Sequence, residues 1–173
     1  SKENHNMPKD FLSALKNGPV LFDGATGTML QRLWLRPGGC PDEVNLTNPE
    51  MIKKVHTAYR NAGSQVITTN TFGANRIKLK EYNLEGRLRE INISAVKNAK
   101  EAAGEKLFAA GCIGPTGLFV EPVGNVPFDE MMDVFYEQAD AIKAGGADLI
   151  IIETMMDIKE MKAAIIAAKT TNL

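Results

Sequence analysis

Cysteine, histidine and net charge are all scarce in this sequence. Its 173 residues include two cysteines, Cys40 and Cys112, and two histidines. Two cysteines cannot build a disulfide framework, so we expect the chain to work in the cytoplasm. The 20 lysines and arginines nearly balance the 21 aspartates and glutamates, which leaves a net charge of -1. Because this balance gives no attraction to nucleic acid or to an anionic membrane, we expect neither as a partner.

Long apolar runs are also missing. The longest one is far shorter than the roughly 20 residues that cross a bilayer. The polar start, S-K-E-N-H-N, is unlike a secretory signal peptide, and we expect residues 1–7 to be a disordered lead. With 44% hydrophobic and 24% charged residues, the composition is ordinary for a soluble globular protein. The length is that of about one domain.

The sequence does contain a repeat. An Ala-Gly pair closes three predicted helices, and its glycines, Gly63, Gly104 and Gly145, follow each other at equal intervals of 41 residues. A short apolar run follows each pair. A strand and a helix that alternate at a constant interval are typical of parallel strands joined by helical crossovers. The runs are apolar on both faces, as in a parallel sheet that helices cover. The repeat therefore predicts an α/β fold.

Four buried strands are predicted, each as part of a strand–helix unit, at residues 20–22, 66–69, 107–110 and 149–152. Two architectures fit such units. A doubly wound sheet usually has a G-x-G-x-x-G turn, which the segment D-G-A-T-G-T does not match, and no helix obviously starts there. A (β/α)₈ barrel places polar residues at the carboxyl ends of its strands. The residues predicted at those ends are Asp23, Asn70, Cys112 and Glu153. The pattern favours the barrel, of which four units are half.

Apolar spacing and capping residues predict the helices. A short helix around residues 11–15 ends before Asn17-Gly18-Pro19, and residues 24–48 are predicted to be irregular. Asn48 and Pro49 are typical of a helix start. Asp157 with Glu160 predicts a capping box at the start of the last helix.

Asp23 and Glu153 are the sharpest pair of candidate site residues. Two carboxylates at the ends of the first and fourth predicted strands can converge on a cationic group such as an α-amine. They can also act as a general acid and base if their environments separate their pKa values. The structural alternative is that each one caps the following turn or pairs with a lysine. Because the two acids fall on one face of the predicted sheet, ligand binding is favoured.

Backbone and neutral polar groups could complete such a site. Successive N–H groups of residues 24–27 could hold a carboxylate or a phosphate, although a plain flexible loop explains the same composition. Asn70 and Thr71 can donate and accept hydrogen bonds at the next strand end, while Thr71 could instead hold its own turn.

The cysteines and histidines give no metal site. Cys112 follows a predicted strand, but neither C-x-x-C nor H-E-x-x-H accompanies it, so we expect a small buried side chain. Cys40, in a loop rich in glycine and proline, is expected to face solvent. His56 lies within a helix pattern and His5 in the lead. We therefore assign no catalytic residue and no metal ligand.

Five motifs in this order resemble the homocysteine S-methyltransferase family. They are D-G-A-T-G-T-M-L-Q at residues 23–31, D-E-V-N-L-T-N-P-E at 42–50, T-N-T-F-G-A-N at 69–75, G-P-T-G at 114–117 and G-G-A-D-L-I-I-I-E-T at 145–154. Each motif is weak alone, but five in one order are a specific signal that covers nearly all of the chain after Pro19. Within the family, they are most similar to the N-terminal homocysteine-binding domain of cobalamin-dependent methionine synthases.

The resemblance implies a (β/α)₈ barrel methyltransferase that converts homocysteine to methionine. In that family zinc binds the homocysteine thiol and lowers its pKa, so that the thiolate attacks a methyl donor. In methionine synthase the donor is methylcobalamin, which another domain carries and methyltetrahydrofolate on a second barrel recharges. The cofactors implied for the full-length enzyme are therefore zinc and cobalamin.

The resemblance also places seven residues around homocysteine. Two acids would hold its amino group, the backbone after the first acid would hold its carboxylate, and two polar residues would line the pocket. In that order they are Asp23 and Glu153, then Gly24, Ala25 and Thr26, then Asn70 and Thr71.

The sequence departs from the family at the metal. The family's zinc thiolates follow its sixth and eighth strands, and the four predicted units include neither strand. The resemblance therefore implies that residues 19–173 are the first half of the homocysteine-binding barrel, after a lead and short helix at residues 1–18. We expect this fragment alone to bind neither zinc nor cobalamin and to be inactive. Its expected partners are homocysteine, the downstream half of the barrel, and the cobalamin and folate domains.

Two further expectations follow from a half-barrel. Its outer strands would present unpaired edges and its inner face would be exposed, so the isolated chain is expected to self-associate. Within the same enzyme class, betaine or S-methylmethionine could be the methyl donor. In a different class, the chain could be a non-catalytic half-barrel that binds a small ligand or only self-associates.

Overall fold

The computed structural model describes residues 10–32 and 38–173, so the predicted lead at residues 1–7 and His5 lie outside the described residues. The helices are α1 (Phe11–Lys16), α2 (Thr26–Arg32), α3 (Val44–Thr47), α4 (Pro49–Ala62), α5 (Arg76–Lys80), α6 (Leu88–Ala103), α7 (Phe128–Gly145) and α8 (Ile158–Lys169), with a 3₁₀ turn at Glu85–Arg87. Within the described ranges, no helix is both long and apolar enough to cross a membrane.

Three parallel strands form the sheet, in the order β1 (Val66–Thr68), β2 (Phe108–Ile113) and β3 (Leu149–Ile152). Val66 pairs with Phe108 at one end, and Cys112 pairs with Ile151 near the other. Helices α6 and α7 connect the strands as crossovers. The predicted α/β fold with parallel strands is therefore confirmed. Because β2 is longer than predicted, Cys112 lies inside the strand and not beyond its end.

The predicted first strand, residues 20–22, is wrong as a strand. Phe22 forms a single parallel bridge with Val66, while Leu21 is 57% exposed. The N–H of Leu21 donates to the side chain of Gln65 at 2.9 Å and not to another strand. Pro19 has no N–H, and the chain turns into α2 soon after Asp23. Between these two ends the segment makes a single bridge and no ladder, although it lies beside β1 where the prediction placed it.

The helix predictions need two corrections. Residues 24–48 are not irregular throughout, because α2 and α3 lie within them and α2 begins inside the predicted turn. At the start of α8, Asp157 caps the helix by accepting from the N–H of Lys159 at 2.8 Å. Glu160 does not complete a capping box, since its Oε1 accepts from the N–H of Thr116 at 2.7 Å. The short α1 and the Asn48-capped α4 are confirmed.

The two faces of the sheet pack against different helices. Side chains alternate along each strand, so every second residue points to the same face. The outer face packs against α6, α7 and α8 through residues such as Ile113 and Ile150. At the amino ends of the strands, α1 covers the inner face, where the rings of Phe11 and Phe108 lie 5.5 Å apart. At the opposite end, the inner-face positions are polar, and they begin the candidate site.

Candidate functional site

A cavity of about 700 Å³ opens at the carboxyl ends of the strands. The segment after the Phe22 bridge, the loop before α3 and the ends of all three strands meet there. Six of the seven predicted site residues line it: Asp23, Gly24, Ala25, Thr26, Asn70 and Glu153. The seventh, Thr71, does not line the cavity because its hydroxyl turns into the sheet and donates to the carbonyl of Cys112 at 2.7 Å. Thr71 therefore supports the wall from behind.

Asp23 holds one oxygen in the fold and leaves the other without a partner. Its Oδ2 accepts from the N–H of Thr68 at 2.9 Å, which ties it to the end of β1. Its Oδ1 is buried and has no hydrogen-bond partner. Burial raises the pKa of Asp23, and the nearby charge of Glu153 adds to the rise. Among the described ion pairs, none joins Asp23 to a lysine or arginine, so this cavity-lining residue keeps a buried acceptor without a partner.

Glu153 is fixed from both its backbone and its side chain. Its N–H donates to the carbonyl of Ile113 at 3.1 Å, which extends the pairing of β3 with β2 by one residue. Its Oε1 accepts from the thiol of Cys112 at 2.9 Å. Because Glu153 contributes to the raised pKa of Asp23, the two carboxylates are close enough to interact electrostatically. The two acids predicted to converge at the strand ends do lie in one cavity.

Cys112 has a role that its sequence context did not indicate. The side chain is 2% exposed, and burial raises its pKa well above the ordinary value, with Glu153 as the next cause. The thiol therefore keeps its proton at neutral pH and donates a hydrogen bond to Glu153. The expectation of a small buried side chain is correct for burial but incomplete, since Cys112 also lines the cavity. Its place on the inner face of β2 was the signal that could have shown this.

Asp42 is a buried acid of the cavity that sequence reasoning missed. It is 6% exposed, and its Oδ1 accepts from the N–H of Gly73 at 3.1 Å. Burial raises the pKa of Asp42 to about 6. A Cβ on Gly73 would lie 2.9 Å from Asp42 Oδ2, so this close approach requires glycine. Asp42 follows a loop and not a strand, and the strand-end pattern therefore could not indicate it.

The expectation that Cys40 faces solvent is wrong. Cys40 is 4% exposed and packs in an apolar cluster with Leu79, Leu88 and Ile91. Burial raises the pKa of its thiol to about 11. The loop folds inward because Asn70 anchors it, with Asn70 Nδ2 donating to the carbonyl of Pro41 at 2.7 Å. This bond also means that the amide nitrogen of Asn70 is already used within the wall.

Acidic side chains dominate the cavity. Four of its lining residues are acids, namely Asp23, Asp42, Glu81 and Glu153. Lys78 is the one basic residue in the described lining, and its Nζ pairs with Glu81 at 3.0 Å. This excess of acid near buried, raised-pKa carboxyls favours a ligand with a cationic group.

Comparison with known proteins identifies the family of this chain. Residues 20–173 match the profile of homocysteine S-methyltransferases. The chain belongs to the homocysteine S-methyltransferase family. It is 30% identical to methionine synthase of Mycobacterium tuberculosis and 29% identical to that of Mycobacterium leprae, over 96% and 95% of its own length. It spans 15% of the length of each of these relatives.

Solved structures of a homocysteine methyltransferase share the fold. The oxidized and metallated forms of MmuM from Escherichia coli each superpose with a TM-score of 0.79, at 24% and 23% identity. The matches cover 92% and 93% of this chain, and 61% and 63% of the MmuM chain. This likeness establishes a common fold for the homocysteine S-methyltransferase chain described above.

The family implies zinc, and the residues of the cavity do not fit it. The described residues include no group of three or more histidine, cysteine, aspartate or glutamate side chains arranged to hold a metal ion. A zinc thiolate needs a deprotonated cysteine. Burial instead raises the pKa of both Cys40 and Cys112, and the thiol of Cys112 is engaged with Glu153. The described part of this homocysteine S-methyltransferase chain thus places acids in the cavity but shows no zinc donor set.

Proposed function

We propose that residues 19–173 form the first half of the homocysteine-binding (β/α)₈ barrel of a methionine synthase, after a lead and short helix at residues 1–18. The cavity would hold the amino-acid end of homocysteine. Family membership, the parallel α/β fold and the methionine synthase relatives support the proposal. Both cysteines are free, which supports a cytoplasmic location.

The proposal rests above all on the free oxygen of Asp23. A buried carboxylate oxygen without a partner is costly, and an ammonium group in the cavity would remove that cost with a charge-assisted hydrogen bond. Glu153 supplies the second negative charge, which lowers the cost of bringing a cation out of water. The two acids are thus proposed to bind the α-amino group together and to fix its position.

The carboxylate of homocysteine is proposed to bind the backbone beside Asp23. Gly24, Ala25 and Thr26 line the cavity, and α2 begins at Thr26. Successive backbone N–H groups in such a turn can donate to an anion. Tyr59 holds this turn in place, because its hydroxyl donates to the carbonyl of Ala25 at 3.0 Å. A zwitterion bound in this way leaves the thiol directed away from the acids.

The methyl transfer itself is assigned to the full-length enzyme. There, the proposed donor is methylcobalamin recharged from methyltetrahydrofolate, and the thiol would be activated by zinc. Because the described residues have no donor set for zinc, we assign the metal to the downstream half of the barrel, and cobalamin and folate to further domains. This chain alone is proposed to bind homocysteine without methylating it. Betaine or S-methylmethionine is the alternative donor within the same class.

Calorimetry with homocysteine tests the proposal. We expect binding to the unaltered chain, and a loss of affinity on the order of 10- to 100-fold in Asp23→Asn and in Glu153→Gln, because each removes a charged partner of the amine. Asn at position 23 keeps an oxygen for the N–H of Thr68. Glu81→Gln is the matched control, since Glu81 lines the same cavity but is paired with Lys78.

Two results would contradict the proposed site. Absence of binding to the unaltered chain would favour a structural half-barrel without a ligand. An equal loss in Glu81→Gln would mean that the cavity responds only to its total charge. Methionine and cysteine serve as control ligands that test the length and the free thiol of the side chain.

A further inference from the structure

We propose that Cys112 is a positioning residue that orients the Glu153 carboxylate and thereby makes the cavity selective for ligands with an amino group. The inference rests on the proposed function. It assigns a role to a side chain that touches a ligand-binding acid from within the wall, at 2.9 Å from Glu153 Oε1.

The backbone of Cys112 is held firmly enough to act as a fixed donor. Its N–H donates to Thr69 Oγ1 at 2.9 Å. Its carbonyl accepts from Thr71 Oγ1 at 2.7 Å, and more distantly from Gln138 Nε2 at 3.4 Å. These partners are buried and fix the backbone of Cys112, and the side chain, at 2% exposure, is itself enclosed. The fixed partner of the pair is therefore the cysteine, and the oriented one is the glutamate.

Glu153 needs such a partner because it is otherwise free to rotate. A glutamate side chain has several rotatable bonds, and Glu153 is only partly buried. Among the described residues, the Cys112 thiol is the hydrogen-bond partner that holds its carboxylate. With Oε1 engaged, Oε2 is the oxygen available to a ligand. Cys112 thus binds one carboxylate oxygen of Glu153 and leaves the other without a described partner. Asp23 likewise has one bonded and one unpartnered oxygen.

The thiol stays protonated, so it acts as a donor. Three carboxylates raise its pKa in addition to burial, those of Glu153, Asp42 and Asp23. A thiolate at this place would repel Glu153 and would bind the amine itself. A neutral thiol instead leaves the negative charge on the two proposed amine-binding acids.

Ligand discrimination provides the test. The affinity of homocysteine is compared with that of 4-mercaptobutyrate, which is the same molecule without its amino group. We expect Cys112→Ala to lower the preference for homocysteine on the order of tenfold while leaving the affinity for 4-mercaptobutyrate unchanged. Cys112→Ser keeps a donor and is expected to retain the preference. If Cys112 had a purely structural role, its loss would instead lower the affinity for both ligands together.

Cys40→Ala is the matched control, because Cys40 is a second buried cysteine whose thiol donates to a different cavity acid, Asp42, at 3.8 Å and not to Glu153. It should leave the preference unchanged. The proposal is overturned if Cys112→Ala keeps the full preference, or if Cys40→Ala loses as much. If Cys112→Ala does not fold, loss of the preference in the folded Cys112→Ser variant overturns it instead, and its retention supports it.

A second measurement separates this inference from the proposed function. The Cys112 thiol is titrated by thiolate absorbance in Cys40→Ala, with and without Glu153→Gln. Removing the Glu153 charge is expected to lower the pKa of the thiol, whether or not homocysteine binds. If the unaltered chain binds no homocysteine, the proposed function fails, and the titration still decides the contact: an unchanged thiol pKa overturns the inference.

Discussion

At the scale of single residues, buried polar atoms without a hydrogen-bond partner occur both beside the cavity and in the core. Asp23 Oδ1 is an unused acceptor at a cavity that a ligand can enter. His56, on α4, is fully buried, and neither of its ring nitrogens has a hydrogen-bond partner. No ligand reaches His56, so its burial remains a cost of the fold. The two residues show that an unpartnered polar atom suggests function only where a cavity adjoins it.

His56 predicts a loss of stability in acid. Burial lowers its pKa to about 4, below the ordinary 6.5 of the unfolded chain. As the pH falls below 6.5, the unfolded chain therefore binds a proton before the folded chain does, and stability is lost until the pH reaches about 4. The full effect is roughly 3 kcal/mol. Urea unfolding of the unaltered chain and of His56→Leu at pH 7 and pH 4.5 should show most of this loss as a change in the stability difference between the two chains.

Comparison with His56→Leu isolates the effect. The raised pKa values of Asp42 and Asp23 act in the opposite direction, since a carboxyl that protonates more readily in the fold gains stability in acid. Leucine removes the imidazole and leaves both acids. The stability difference between the two chains should therefore change with pH. A difference that stays constant from pH 7 to pH 4.5 would show that His56 is not held neutral.

At the scale of elements, glycine in β2 controls how α7 packs on the sheet. A Cβ on Gly111 would lie 2.2 Å from Cγ2 of Ile142, which is fully buried. Gly111→Ala is expected to lower the free energy of unfolding by about 1–3 kcal/mol, because the overpacked side chain must shift α7 or change its rotamer. Thermal and urea unfolding measure this change.

Gly86 offers a matched control for that substitution. It lies in the Glu85–Arg87 turn, and a Cβ there would meet nothing within 4 Å. Gly86→Ala should be neutral, or stabilising by up to about 1 kcal/mol through a less flexible unfolded chain. An equal loss in both variants would mean that the contact between position 111 and Ile142 of α7 is not the cause.

The elements also show what the sequence can predict. β1, β2 and β3 were predictable because parallel, covered strands are apolar on both faces and recur with the Ala-Gly pairs. The segment at residues 20–22 is also apolar, but there Leu21 is exposed and Phe22 makes a single bridge in place of a ladder. The start of α2 was missed because Gly24 and Gly27 lie beside it, and glycine is more typical of a turn than of a helix.

The same limit applies to the site. Asp23, Asn70 and Glu153 follow apolar runs, so a strand-end rule finds them. The positions of Asp42 and Cys40 depend on how a loop packs against α5 and α6, which involves residues far apart in sequence. Local pattern has no information about such contacts, and only the assembled fold provides it.

At the scale of the whole molecule, β3 is an edge that predicts self-association. Within the described residues, β3 pairs with β2 on one side alone, and all four of its residues are only half-buried. The following helix, α8, exposes Ile158, Met161 and Ile165. An open strand edge beside exposed apolar side chains favours pairing with another chain. We expect the isolated chain to form dimers or larger species in light scattering at tens of micromolar.

Lysine substitutions on two helices identify the surface involved. Ile158 is 70% exposed on α8 and Leu12 is 66% exposed on α1, so lysine at either position should leave the fold intact. Ile158→Lys is expected to shift the chain towards monomer, since a charge desolvated between two copies is costly. Leu12→Lys, on α1 and not on α8, should associate like the unaltered chain. A monodisperse monomer of the unaltered chain with protected β3 amides would contradict the prediction.

In the proposed barrel the downstream half covers this same edge of β3. A second copy and the downstream half therefore exclude each other, and added downstream residues should suppress the association.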